Sequence, residues 1–152
     1  MLILGIESSC DDTGVALVND GKNIIHNTLI SQTEIHSTFG GIVPEVAARQ
    51  HIIALGNILK EYKDLNLLEN IDGVAVTKGP GLAGSLLVGV NYAKALSYAL
   101  DVPVRGINHL SGHIHAAWIN RIERIQFPVI ALLVSGGHSD LSLLYSHNDR
   151  IL

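Results

Sequence analysis

Three short β-favouring runs, Leu2–Ile6, Val15–Val18 and Asn23–Leu29, follow one another before any helical spacing appears, and this order constrains the fold more than any other feature. Strands so close in sequence pair as an antiparallel meander, because parallel neighbours need a long crossover between them. Asn19-Asp20-Gly21 supplies residues that tolerate positive φ in a hairpin turn. Beyond the Gly40-Gly41 break, Pro44 suits the first position of a helix, and Val46, Ile53, Leu55 and Leu59 carry it to Tyr62 at mostly helical spacing. Ile71–Thr77 reads as a buried strand and Leu82–Leu100 as a helix with small residues for close packing. Pro103–Ile107 reads as a strand, His109–Ile119 as a helix, and Phe127–Val134 with Asp140–Leu144 as a hairpin around Ser-Gly-Gly. The expected fold is α/β, a central mixed sheet with helices covering it.

Composition narrows what such a fold serves. A chain of 152 residues with 47% hydrophobic residues suits about one compact domain. Its longest apolar stretches, such as Val129–Val134, fall far short of the roughly 18 residues of a spanning helix, so no membrane role is expected. The single Cys10 has no partner for a disulfide, and Met1 leads straight into a strand, which together suggest a reducing, cytoplasmic setting. With 10 Lys and Arg and a net charge of −4, the chain carries no broad cationic face, so a nucleic-acid role needs a partner or a further part.

Four segments carry candidate chemistry. Glu7-Ser8-Ser9-Cys10-Asp11-Asp12-Thr13-Gly14 joins two strands, and reads either as a turn facing a phosphate and cation or as an ordinary polar hairpin turn. Gly79-Pro80-Gly81-Leu82-Ala83-Gly84 is a G-x-G-x-x-G between strand and helix. A dinucleotide site also needs an acidic residue after the next strand, where Asn108 and His109 stand, and a Walker loop needs Lys where Ser85 stands. The segment therefore reads as a tight strand-to-helix turn. If Asn108 caps a helix, His109 and His113 lie one turn apart on one face, their side-chain origins about 6 Å apart, and can share a metal ion. His115 points elsewhere. Leu110 stands where a zinc protease of the H-E-x-x-H type needs Glu, and two ligands require a third from another place. Finally, the strand ending Leu133-Val134-Ser135-Gly136-Gly137-His138 offers backbone N–H groups to an anion, or is a Gly-containing hairpin loop. The Pro44 helix reads as a packing helix without chemistry.

Taken in order, Ile6–Thr13, Gly40–Glu45, Gly79–Gly89, Asn108–His113 and Leu132–His138 strongly resemble the bacterial and organellar tRNA threonylcarbamoyltransferase family, once described as O-sialoglycoprotein endopeptidases. The resemblance implies an actin-like, sugar-kinase-like fold of two lobes around a cleft. It also implies transfer of a threonylcarbamoyl group from threonylcarbamoyl-adenylate to the amine of the adenosine beside the tRNA anticodon. His109 and His113 match the family's metal ligands, with Fe(II) implied and zinc or magnesium as alternatives, and the third ligand belongs to the other lobe. Leu133, Val134, Ser135, Gly136 and Gly137 match its substrate-binding segment. Asp11 and Asp12 match its acidic catalytic loop, Asp12 standing where the family most often has Glu. Implied partners are tRNA, a paralogous actin-like protein, a small ATPase and a second copy through this lobe. On this reading residues 1–152 are one N-terminal lobe of a longer protein, folded but catalytically incomplete, with an exposed apolar face. A non-catalytic scaffold lobe and a phosphotransferase lobe of the same fold are the rival readings.

Overall fold

The computed structural model describes residues 1–119, 125–134, 139–147 and 149–151. Strands β1 (Leu2–Glu7), β2 (Asp12–Asn19) and β3 (Asn23–Ser31) form the antiparallel meander that the sequence predicts. Asp20 and Gly21 take φ of 51° and 65° at its second turn, the left-handed conformation that Asp and Gly tolerate. A short helix α1 (Thr33–Ser37), which no periodicity signals, leads to the long helix α2 (Pro44–Asp64). Next come β4 (Gly73–Gly79), α3 (Ala83–Leu100), β5 (Val104–Asn108) and α4 (His109–Ala116). The five strands order β3-β2-β1-β4-β5, and β1, β4 and β5 run parallel, so the sheet is mixed as expected.

Side-chain alternation divides this sheet into two working faces. Leu4 and Ile6 pair with Leu17 and Val15 and share one face with Val74 and Val76, all buried beneath α2 and α3. From α2, Leu55, Ile58 and Tyr62 enter this core, and the Tyr62 hydroxyl donates to the Val15 carbonyl at 2.7 Å. Glu7, Gly14 and Thr77 have the opposite parity and face away from those helices. Helix α3 approaches β1 closely: a Cβ on Gly89 would collide with the Ser8 hydroxyl, which itself donates to the Ser85 carbonyl at 2.9 Å.

The expected last hairpin forms, but it does not join the central sheet. β6 (Val129–Val134) and β7 (Ser139–Leu144) pair with β8 (Arg150–Ile151) in a separate three-stranded antiparallel sheet. Helix α4 carries the chain off the β5 edge, and β6 packs beside that helix instead. Its apolar run, which reads like a buried strand, alternates: Ile130, Leu132 and Val134 are 72%, 67% and 68% exposed, and with Leu141 and Ile151 they form an apolar outer face. Helix α4 also ends at Ala116, before the expected Ile119. Among the described residues, no helix is long and apolar enough to cross a membrane.

The Gly89 contact gives a test with its own control. Gly89→Ala should cost about 1–3 kcal/mol through overpacking against Ser8, whereas Gly112→Ala, a helical position with open space around it, should gain about 0.5–1 kcal/mol. Urea unfolding of both variants checks the opposite signs.

Candidate functional site

The site is assembled at the carboxyl end of the parallel strands. Asn108 is both the last residue of β5 and the cap of α4, its side-chain oxygen accepting from the Leu110 and Ser111 N–H groups at 3.0 and 3.2 Å. His109 therefore starts the helix directly at the sheet edge, with His113 one turn on. Their Nε2 atoms lie 3.0 Å apart, and the rings meet edge to face. His115 bonds the Ser111 carbonyl through Nδ1 at 2.8 Å and packs on Trp118, away from the pair, as the helical spacing predicts.

The other nitrogen of His109 explains the arrangement. Its Nδ1 lies 3.1 Å from Glu7 Oε2 and 3.2 Å from Ser9 Oγ. Glu7 also accepts from the Ser9 N–H at 2.5 Å and from the Thr77 hydroxyl. Burial disfavours its charge, but the hydrogen bonds from Ser9 and Thr77, with His109 beside them, outweigh that and hold the carboxyl below the usual glutamate range. An ionised Glu7 can only accept, so His109 carries its proton on Nδ1 and leaves Nε2 as a lone pair turned toward His113. That is the orientation which a carboxylate imposes on a metal-ligating histidine. Among the described residues, no third His, Cys, Asp or Glu completes a metal-holding cluster.

The turn between β1 and β2 lies against the β4–α3 turn. The Leu82 N–H donates to the Ser9 carbonyl at 2.8 Å, and Gly81 sits so close to Ser9 that a Cβ there would strike it. Gly81 thus serves close packing, in keeping with the missing acidic residue and missing Lys. Asp11 and Asp12 lie at the far end of the turn, Asp12 opening β2 and exposed. The partners of His109 are Glu7, Ser9 and His113, so the structure does not bring either aspartate onto the pair. Leu133 is half-buried and Val134 exposed in β6, and Ser135, Gly136 and Gly137 lie outside the described residues. Sequence reasoning places Glu7 only within a turn that could face a phosphate and a cation, and gives Thr77 no role. Their common parity, opposite to that of Ile6 and Val76, is the signal that places them together.

Burial, and after it the neighbouring Asp11, raise the Cys10 thiol above its ordinary value, which keeps it protonated near neutrality. At pH 7, Cys10 should react with iodoacetamide more slowly than free cysteine, and Asp11→Asn should speed the reaction. Mass spectrometry of the alkylated peptide over time measures both, and a rate equal to that of free cysteine contradicts the assignment.

Comparison with known proteins then places the chain. Residues 23–151 match the family model for tRNA N6-adenosine threonylcarbamoyltransferase. A Bacillus thuringiensis protein of that name is 49% identical over 149 residues, covering 96% of this chain and 43% of its own length. One from Dehalococcoides mccartyi is 50% identical over 150 residues, covering 97% of this chain and 45% of its own. The chain thus spans less than half the length of these relatives. Among solved structures, YeaZ from Pseudomonas aeruginosa superposes with a TM-score of 0.52 at 19% identity, over 72% of this chain and 45% of that one, a likeness of fold alone. The α/β fold is of the expected actin-like kind. By the family model and by these identities, the chain belongs to the tRNA N6-adenosine threonylcarbamoyltransferase family.

Proposed function

We propose that this chain is the N-terminal lobe of an enzyme that transfers threonylcarbamoyl from threonylcarbamoyl-adenylate to N6 of the adenosine beside the tRNA anticodon. The observation that carries the reading is the pair of Nε2 atoms 3.0 Å apart on His109 and His113, with Glu7 fixing the tautomer of His109. Two imidazoles with one lone pair pre-set suit a borderline divalent ion, Fe(II) in the family reading. His109 and His113 hold it together with a ligand from the second lobe. When bound, such an ion supplies Lewis-acid polarisation of an oxygen that gains negative charge.

The chain's own groups do the rest. As the exocyclic amine attacks the carbamoyl carbon, the bond to the adenylate oxygen breaks, and the amine must lose a proton. Asp11 or Asp12, on the turn that begins at Ser8, accepts it. Backbone N–H groups of Ser135 to Gly137, within the Leu133–Gly137 substrate-binding segment, orient the adenylate. Partners in this reading are tRNA, a paralogous actin-like protein and a small ATPase, all in the cytoplasm. The apolar outer face of Ile130, Leu132 and Val134 supports burial against the second lobe.

The test uses the full-length protein with its partner proteins, tRNA, threonine, bicarbonate and ATP, assaying the modified nucleoside by mass. His109→Ala and His113→Ala should abolish product and metal retention after dialysis, and unchanged product sinks the metal assignment. Glu7→Gln should weaken metal affinity about 10- to 100-fold, by loss of the orienting carboxylate. Titration with the metal alone measures this, and unchanged affinity contradicts the role given to Glu7.

A further inference from the structure

The buried face of α2 is an apolar stripe of Ala47, Ala54, Leu55, Ile58 and Tyr62, broken once by His51, which is fully buried. Helix packing alone does not ask for an imidazole there, since a buried polar ring is tolerated only when its nitrogens find partners. Both do. Nε2 lies 3.0 Å from the Cys10 carbonyl oxygen, and Nδ1 lies 2.7 Å from Thr13 Oγ1. A carbonyl only accepts, so Nε2 carries the proton and Nδ1 accepts from the Thr13 hydroxyl.

These two contacts bracket Asp11 and Asp12. Between them, the Gln32 N–H donates to the Asp11 carbonyl at 3.2 Å. Gln32 is itself buried, its side chain 3.1 Å from His36 Nε2 and 3.4 Å from the Ala47 carbonyl. The carbonyls of Cys10 and Asp11 are thus both drawn inward, toward α2 and the start of α1. On the outer side, the Asp12 side chain is left exposed and that of Asp11 half-exposed.

We propose that His51 is a positioning residue for the acidic turn, acting through the Cys10 carbonyl to fix where the Asp11 and Asp12 carboxylates stand. The kinetic part of this proposal rests on the reading above that one of them takes the proton from the attacking amine. A helix that the sequence marks for packing alone then also sets the geometry of the turn.

Two near-isosteres separate the ring's contacts. In the full-length protein, His51→Gln places an amide N–H where Nε2 stood and keeps the Cys10 bond. His51→Asn reaches only the Nδ1 position and serves Thr13. For His51→Asn we expect kcat for transfer to fall about 10- to 100-fold with KM for tRNA unchanged, because misplaced groups cost rate rather than binding. Amide hydrogen exchange across residues 10–13 should quicken about tenfold or more. His51→Gln should stay within about threefold of the parent in both. Equal losses in the two variants, or unchanged exchange in His51→Asn, overturn the positioning role. Where His51→Asn does not fold, Thr13→Val decides: it leaves the Cys10 bond, so exchange at Cys10 to Asp12 should remain slow, and fast exchange there overturns the proposal. Full transfer by both Asp11→Ala and Asp12→Ala instead overturns the proton-transfer reading.

Discussion

A carboxylate that is partly buried stays charged only where enough donors surround it, and Glu7 finds them on three separate pieces of chain. Ser9 belongs to the turn that Glu7 itself begins, Thr77 to β4 and His109 to α4. Thr77 and His109 are in reach only when their elements have docked. The ionised state of one side chain is therefore a product of the β1–β4 register and the seating of α4 together. In turn it decides which nitrogen of His109 is free. Removing any donor shifts the balance back toward burial, which opposes the charge.

Two faces of the same sheet keep stability and chemistry apart. Leu4, Ile6, Val15, Leu17, Val74 and Val76 meet α2 and α3, while Glu7 and Thr77 look the other way toward His109. The separation is incomplete at the turn after β1. There Ser8 bonds into α3, Ser9 reaches His109, and Cys10 bonds back into α2 through His51. Three successive residues thus join the core helices to the site, which is why α3 needs Gly89, and the turn before it Gly81, as close neighbours.

Much of this was readable in the sequence where the signal is local. Short apolar runs with Asp-Gly at the turn gave the meander, Pro44 gave the start of α2, and Asn108 with histidines one turn apart gave α4 and its cap. What periodicity could not supply is long-range partnership. The run Val129–Val134 is as apolar as a core strand, yet it pairs in a second sheet with one face open, because α4 redirects the chain before it. Glu7 lay inside a segment already marked as chemical, but its role depends on a histidine 102 positions away. His51 looked like one more residue of a packing helix, since its partners Thr13 and Cys10 lie on a strand and a turn that no helical pattern points to.

Asn108 closes the strand and caps the helix in one residue, so no linker separates the sheet from the histidine pair. An α-helix turns by about 100° with each residue. Adding or deleting a single residue at this junction would swing both rings around the helix axis and away from Glu7 at once. Side chains nearby can vary one by one, but the length of the backbone between β5 and α4 has no such latitude. Here the spacing between strand and histidines is itself part of the site.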